Sequence, residues 1–195
     1  MLILASNSSA RRQLLENAGV RFEAVAADVD EAALRGRWPG LGAEEVAMRL
    51  AEAKALAVSE RATGALVLGS DSVAELEPGH LLEKPMTEDG LRRQLQQLRD
   101  RWHRLVSAVA FAQDGRLLWR HAEAARLRMR AFSDGFLARY VDQAGAGVRQ
   151  SVGGYHVEGL GAQLFEAVEG SEFVVRGLPL FAVLSFLREA GELPQ

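Results

Sequence analysis

Residues Ala65 to Leu76 read Ala-Leu-Val-Leu-Gly-Ser-Asp-Ser-Val-Ala-Glu-Leu, and this stretch decides the class of fold. Its apolar half, Ala65 to Gly69, predicts a buried strand, and Val73 to Leu76 predicts that the chain continues extended. Ligands in open α/β sheets gather beyond the carboxyl ends of strands, so Asp71 is a candidate to hold Mg²⁺ or to take a proton from water. Aspartate after a strand is also a common turn residue, and that structural alternative stays open.

The segments before this stretch alternate between strand and helix signals. Leu2 to Ala5 predicts a short buried strand, followed by a helix from Ala10 to Ala18 and a second strand from Val20 to Ala27. Apolar residues recur with helical spacing from Ala43 to Arg61, which is the clearest helix in the chain. The acidic stretch that comes between, Asp28 to Gly42, is predicted to be irregular.

A hairpin and three further helices complete the pattern. Asp114-Gly115 lies between the strand-like runs 103–112 and 116–130, as expected for a two-residue hairpin turn. Helices are predicted over 87–98, from Ser133 to about Gln143, and from Pro179 to about Ala190. The predicted class is therefore α/β, with a mixed, twisted sheet, flanking helices and two lobes around a cleft. We predict a single domain over residues 1–195 without an independent linker.

The composition excludes several kinds of protein. The chain has no cysteine, which rules out disulfides, zinc–thiolate sites and thiol nucleophiles. A net charge of −3 without a basic block disfavours a nucleic acid polymer as partner, although a few local cations suffice to bind one small anion. No segment approaches the roughly 20 apolar residues of a membrane span, and the N-terminus does not resemble a signal peptide. We expect a cytoplasmic protein without a membrane partner.

The first candidate anion site is Ser6-Asn7-Ser8-Ser9-Ala10-Arg11-Arg12, between the first strand and the first helix. Backbone N–H groups at a helix start attract anions, and the Ser6 and Ser8 hydroxyls add donors. Arg11 lies in the first turn, where its guanidinium can fork onto a phosphate. The alternative is that Ser8 or Ser9 simply caps the helix and that the arginines are solvated.

Two lysines and an acidic group are further candidates. Lys54 lies near the apolar face of its helix, so its ammonium either reaches the rim or points into a cleft. Lys84 follows a turn and faces either a phosphate or water. The acidic group that includes Glu31 either binds a hard cation or forms a solvated loop.

The last candidate is the glycine-rich segment Gly153 to Gly161, which contains Tyr155 and Glu158. Tyr155 either stacks on a base or belongs to the core, and Glu158 either accepts two hydrogen bonds from a guanine edge or lies on the surface. The segment is neither a Walker loop nor a dinucleotide fingerprint. The histidines have no metal-ligand spacing, and no nucleophile elbow occurs.

Taken in order, these motifs resemble the Maf family of nucleotide pyrophosphatases over essentially the whole chain. The opening Leu4 to Arg12 is similar to the family's L-A-S-x-S-P-x-R motif. The other matching segments are Asp30-Glu31, Arg49 to Ala55, Leu68 to Val73, Glu83-Lys84-Pro85, Gly154-Tyr155 with Glu158-Gly159-x-Gly161, and Val175 to Leu180. Ordered motifs with compatible spacing are far more specific than any one of them.

The resemblance implies a fold like that of the Maf and Ham1 proteins and an enzyme that cuts a nucleotide between its α- and β-phosphates. By carry-over, Asp71 is the general base or a metal ligand, and Glu31 helps to hold a divalent cation, Mg²⁺ or Mn²⁺. The triphosphate is bound by Ser6, Ser8, Arg11, Lys54 and Lys84. Family members are often dimers, so the resemblance also admits a homodimer.

Three positions bear on the choice of base. The register Ser8-x-x-Arg11-Arg12 resembles the branch of the family that hydrolyses 7-methyl-GTP. The carboxylate of Glu158 also resembles that branch, whereas the branch for dTTP and UTP has glutamine at the position of Glu158. Ala10 is neither the tryptophan of the first branch nor the arginine of the second, and Ser72 replaces a frequent glutamine. These departures leave a pyrophosphatase for dTTP and UTP as the alternative.

Two further alternatives concern the activity itself. One is a non-catalytic nucleotide-binding regulator, since the family was first associated with septum formation. The other is a housekeeping pyrophosphatase for deaminated purines, which predicts strong activity on inosine or xanthosine triphosphate.

Overall fold

The computed structural model describes residues 1–194 and contains one mixed sheet with helices on both faces. The strands are β1 (Leu2–Ala5), β2 (Glu23–Ala24), β3 (Leu66–Glu77), β4 (His80–Leu82), β5 (Trp102–Gln113), β6 (Arg116–Met129) and β7 (Phe165–Glu169). The helices are α1 (Ser9–Asn17), α2 (Glu31–Gly36), α3 (Ala43–Ser59), α4 (Glu88–Leu98), α5 (Asp134–Gln143), α6 (Glu172–Val175) and α7 (Leu180–Glu189), with short 3₁₀ helices at Gly147–Gln150 and Leu160–Leu164. The predicted α/β class with a mixed sheet is confirmed.

The strand order is β2-β1-β3-β5-β6-β7, with β4 also paired to β3. β1 is parallel to β2 and β3, whereas the β3–β5, β5–β6 and β6–β7 pairs are antiparallel. β1 ends at Ala5, opposite Gly69, and β4 joins the same edge of β3 only at Ala74. Within the described chain, residues 70–73 therefore have an open strand edge, and this opening places the site.

One sequence expectation changes at this point. Asp71 does not follow the end of a strand but lies inside the continuous strand β3, opposite Ala108 of β5. Ser70, Asp71 and Ser72 interrupt the hydrophobic pattern of the sequence. Their backbone groups still pair with β5, so the strand continues through them. The strand that ends here is the parallel neighbour β1, so Asp71 lies at an edge of β3 that β1 no longer covers.

The close packing of α3 on β3 positions the site from one face. A side chain at Gly69 would place its Cβ 2.2 Å from the backbone oxygen of Ala51, so only glycine permits this approach. The facing residues of α3 are small, Ala47, Ala51 and Ala55, and all are buried. The backbone of α3 therefore lies directly over β3, near Asp71.

Two of the hydrophobic clusters lie on either side of the opening in β3. At one end of the sheet, α1 and α7 pack their leucines on β1, β3 and β5, with Leu14, Leu15 and Leu187 essentially inaccessible to solvent. At the other end, α4 and α5 pack on β5 and β6 through a second cluster that includes Leu95 and Leu137. None of the helices in residues 1–194 is both long and apolar enough to span a membrane.

Local expectations were met where the signals were strong. Asp114 and Gly115 both adopt positive φ, as a two-residue hairpin turn requires. Ser133 caps α5 by accepting a hydrogen bond from the Phe136 backbone N–H. The helix predicted from Pro179 begins one residue later, at Leu180.

Two expectations near the N-terminus were wrong. The second strand is reduced to Glu23–Ala24, and the stretch expected to be irregular contains α2. The Asp30 side chain accepts a hydrogen bond from the Ala33 N–H at 2.9 Å and so starts this helix.

Candidate active site

A cleft of roughly 740 Å³ opens at the free edge of β3, between the β1–α1 connection and the glycine-rich segment. All the candidate residues from the sequence line it: Ser6, Ser8, Ala10, Arg11, Glu31, Lys54, Asp71, Ser72, Lys84 and Glu158. A second hollow of about 640 Å³ beside Met1 and the C-terminal segment contains none of them. The structure thus brings residues from distant parts of the chain into one place, while their individual roles remain predictions.

The centre of the cleft is a lysine shared by two carboxylates. Lys54 Nζ lies 2.6 Å from Oδ1 of Asp71 and 2.7 Å from Oε1 of Glu31. Lys54 and Asp71 are buried, and Glu31 is about one-third exposed. The ammonium of Lys54 points into the cleft, so the alternative in which it reaches the solvent-exposed rim is wrong.

This pairing also governs the protonation of Glu31. Burial is the largest single influence and would raise the pKa of the Glu31 carboxyl, but it is outweighed by the charge and hydrogen bond of Lys54 together with two further cations. With smaller contributions from Lys84 and Arg35, the pKa of Glu31 lies below its ordinary value. Glu31 is therefore an ionised, hard oxygen donor at neutral pH.

Arg11 is held on the opposite face of β3. The strand pleat directs Ser70 and Ser72 away from Asp71, and Ser72 Oγ accepts a hydrogen bond from Arg11 Nη2 at 3.0 Å. Arg11 Nε donates to the Gly177 carbonyl at 2.8 Å, and Ser6 Oγ accepts from Nη1 at 3.2 Å. Burial lowers the pKa of Arg11, while the charges of Asp71 and Glu31 act in the opposite direction. The guanidinium is thus fixed by three hydrogen bonds on the face of β3 opposite to Asp71.

The serines of the first motif have both functions that the sequence left open. Ser8 caps α1, because its Oγ accepts a hydrogen bond from the Arg11 backbone N–H at 3.4 Å. Ser6 Oγ accepts from the Ser8 N–H and from the side chain of Arg11, so it ties the loop to the guanidinium. Capping and lining of the cleft therefore occur together, and the two interpretations do not exclude each other.

The far end of the cleft is formed by the glycine-rich segment. The carboxylate of Glu158 is partly exposed and lies 3.8 Å from Nε of Arg176. Tyr155 lines the cleft but is only 3% exposed, since its ring packs edge-on against Phe165. Tyr155 is therefore mainly a core residue, whereas His156 and Glu158 are the exposed polar residues of this segment that line the cleft.

Sequence reasoning missed two arginines at the site. Arg35 Nη2 lies 3.4 Å from Oδ2 of Asp71, and Arg176 faces Glu158. Arg35 follows Glu31 by four residues, which is one helical turn, so a helix prediction there would have placed both side chains on one face. Arg176 carried no signal beyond its place next to Gly177, and only the folded chain shows where it points.

Because His103 is buried, we predict that the free energy of unfolding decreases under acid conditions. Burial lowers the pKa of His103 to about 4, while its Nε2 shares a 2.6 Å hydrogen bond with the Tyr155 hydroxyl. In the unfolded chain the imidazole takes up a proton near its ordinary pKa of about 6.5, so the unfolded state binds more protons between these values. We expect the free energy of unfolding to fall by about 3 kcal/mol as the pH drops from 6.5 to 4, measured by denaturant unfolding.

The comparison variant for this prediction is His103→Gln, which keeps a polar side chain but cannot titrate. Its stability should lack that part of the pH dependence, whereas His121→Gln, at a partly exposed strand position, should retain it. Equal pH dependence in the wild type and His103→Gln would contradict the assignment.

The donor atoms suit a hard divalent cation. Glu31 and Asp71 each direct one carboxylate oxygen to Lys54 Nζ, so the two carboxylates lie close together, and Mg²⁺ is commonly bound by one or two carboxylates together with water and substrate phosphates. Across residues 1–194, no group of three or more histidines or carboxylates is arranged to hold a metal ion alone. Water molecules or phosphate oxygens would therefore supply the further ligands.

Comparison with known proteins gives the family. The Maf family model, described as "Maf-like protein", matches residues 1–190. A nucleoside triphosphate pyrophosphatase of Paramagnetospirillum magneticum is 49% identical over 98% of this chain and 99% of its own. A 7-methyl-GTP pyrophosphatase of Mesorhizobium japonicum is 46% identical over 98% of this chain and 97% of its own. The chain therefore belongs to the Maf family.

Among solved structures, a nucleoside-triphosphatase (dITP/XTP pyrophosphatase) of Mycobacterium abscessus is 19% identical, with a TM-score of 0.43. That alignment covers 99% of this chain and 97% of the other.

Proposed function

We propose that this protein hydrolyses nucleoside triphosphates between the α- and β-phosphates, releasing a nucleoside monophosphate and pyrophosphate. The observation that carries the proposal is the buried Asp71 carboxylate, held by Lys54 in a cleft that also presents Arg11 and Lys84. A reactive carboxylate surrounded by cations suits attack of water on a polyphosphate. Curated relatives that match nearly the whole chain have the corresponding names.

In the proposed reaction, Arg11, Lys54 and Lys84 bind the phosphate chain and stabilise the charge that develops on the leaving pyrophosphate. Asp71 orients the attacking water and accepts its proton as the water oxygen bonds to the α-phosphorus and the bond to the bridging oxygen breaks. A divalent cation, Mg²⁺ or Mn²⁺, would be held by Glu31 and Asp71 and would supply further charge neutralisation when bound.

We further propose 7-methyl-GTP, or another modified guanine nucleotide, as the preferred substrate. A carboxylate such as Glu158 can accept hydrogen bonds from both N1–H and N2–H₂ of guanine, whereas uracil and thymine offer one donor between two carbonyls. The small side chain of Ala10 leaves room for a bulkier base. The 7-methyl-GTP pyrophosphatase of M. japonicum supports this choice, while the generic name of the P. magneticum relative does not distinguish among bases.

The test is pyrophosphate release with Mg²⁺ or Mn²⁺ from 7-methyl-GTP, GTP, dTTP, UTP, CTP and inosine triphosphate. We expect 7-methyl-GTP to give the highest kcat/KM. Preference for dTTP and UTP would overturn the proposed base, and preference for inosine triphosphate would indicate removal of deaminated purines. Tight binding without any hydrolysis would overturn the enzymatic proposal and favour the regulator.

The variant Glu158→Gln tests whether the Glu158 carboxylate selects guanine nucleotides. It should lower the preference for guanine over pyrimidine nucleotides about tenfold, because the amide loses one of the two acceptors. The measurement is the ratio of kcat/KM values for 7-methyl-GTP and UTP. The matched control is Glu169→Gln, which removes another exposed carboxylate paired with an arginine, on the sheet edge away from the cleft. Unchanged ratios in both variants would exclude Glu158 as the selective group.

A further inference from the structure

Both oxygens of the Asp71 carboxylate are engaged by cations in the free protein. Lys54 Nζ contacts Oδ1 at 2.6 Å, and Arg35 Nη2 contacts Oδ2 at 3.4 Å. The carboxylate itself is buried, with 7% of its side chain exposed. A divalent ion that approaches Oδ2 therefore meets the positive charge of Arg35 beside the same oxygen.

The side chains of Lys54 and Arg35 differ in how strongly the surrounding structure restrains them. Lys54 belongs to the 17-residue helix α3, is buried against β3 and also pairs with Glu31. Arg35 belongs to the six-residue helix α2, in which no residue is fully buried, and a quarter of its side chain is exposed. Helices this short are marginal without strong packing, so Arg35 can move at little cost. The contact of Arg35 with Asp71 is also the longer of the two.

We propose that Arg35 covers Oδ2 of Asp71 in the free protein and moves to the phosphate chain of the bound nucleotide. This inference rests on the proposed function, because the phosphate chain is the group that attracts Arg35 away. A guanidinium binds a phosphate through two parallel hydrogen bonds, and a triphosphate offers more negative charge than one carboxylate already paired with Lys54. The movement frees Oδ2 when substrate is present, so Arg35 is a further substrate-binding residue.

The proposal predicts opposite effects of Arg35→Ala on two ligands. Without nucleotide, Mn²⁺ should bind about threefold more tightly than to the wild type, because a competing cation is gone. The KM for the nucleotide should rise about tenfold, since a charge-assisted hydrogen bond to phosphate is lost. Mn²⁺ affinity is measured from the electron paramagnetic resonance signal of free Mn²⁺, and KM from pyrophosphate release.

Arg37→Ala is the matched control. Arg37 is exposed at the end of the same helix, so this variant removes the same charge from the same segment. It should leave both quantities within about twofold of the wild type. Arg35→Lys, which keeps the charge but lacks the fork, should give a KM between those of the wild type and Arg35→Ala.

Two results would overturn the proposal. Equal or weaker Mn²⁺ binding by Arg35→Ala would show that Arg35 does not cover Asp71. Tighter Mn²⁺ binding with an unchanged KM would show that Arg35 does not move to the phosphates. If the wild type hydrolyses no nucleotide, the proposed function fails, yet the Mn²⁺ comparison still decides whether Arg35 covers the carboxylate.

Discussion

Asp71→Asn should lower kcat for pyrophosphate release by about a thousandfold, because the amide cannot accept the proton of the attacking water. The substitution keeps the shape of the side chain, so β3 and its pairing with β5 should be unaffected. Lys54 and Arg35 lose the negative charge of Asp71 and remain available to the phosphates. Binding of a nucleotide with a non-hydrolysable α–β bridge, measured by calorimetry, should therefore remain within about threefold of the wild type.

The matched control for Asp71→Asn is Glu75→Gln. Glu75 is another buried carboxylate on β3, but it pairs with Arg104 and accepts a hydrogen bond from the Gly79 N–H, outside the cleft. That variant should lose some stability and retain its kcat. Two results would contradict the assignment of Asp71 as base: an Asp71→Asn enzyme with more than about a tenth of wild-type kcat, or one that has lost nucleotide binding together with hydrolysis.

Lys54→Met should have the second largest effect, because it removes the cation shared by Asp71 and Glu31. We expect kcat/KM to fall by a factor on the order of several hundred, since Asp71 loses its orientation and the phosphate chain loses a positive charge. The free energy of unfolding at pH 8 should fall by about 3 kcal/mol, because two converging carboxylates are left without their common partner. Denaturant unfolding and initial rates measure the two effects separately.

The pH dependence gives a further check on Lys54→Met. In the wild type the pKa of Glu31 lies below its ordinary value, so this group stabilises the fold above its unfolded pKa and loses that contribution as the pH falls through the folded pKa. The stability difference between wild type and variant should therefore shrink under acid conditions. A difference that does not change with pH would contradict a shared ion pair as its cause.

Arg49→Met is the control on the same helix. Arg49 forms an exposed pair with Glu45 one turn away, and such pairs contribute only about 0.3–0.5 kcal/mol. This variant should retain its activity and lie within about 1 kcal/mol of the wild type. A large loss in Arg49→Met would mean that α3 is generally sensitive and that the effect of Lys54→Met is not specific to the site.

Strong local signals were sufficient for much of the fold. The helical spacing of α3, the Asp114-Gly115 turn and the cap at Ser133 each depend on residues a few positions apart, and each was found where it was expected. The second strand and α2 were misjudged, because their signals are short and depend on packing. The cap at Asp30 was the one local cue that would have corrected the second error.

The sequence also indicated which residues are candidates for the site, but it did not indicate how these residues are arranged in space. Whether Lys54 points into the cleft depends on its contact with Asp71, 17 positions away. The bonds that fix Arg11 join it to Ser72 and to Gly177, 61 and 166 positions along the chain. Periodicity within a helix or strand carries no information about such distances.

The sequence by itself determined the α/β class, the residue types available for chemistry and the family resemblance, because these depend on local spacing and on the order of motifs. Only the tertiary structure decided that Asp71 lies inside a strand whose parallel neighbour has ended. It likewise decided that Arg35 covers this carboxylate and that Arg176 faces Glu158. The physical reason is that electrostatic contacts depend on distance in space, and the packing of α3 over Gly69 and the length of β1 set those distances.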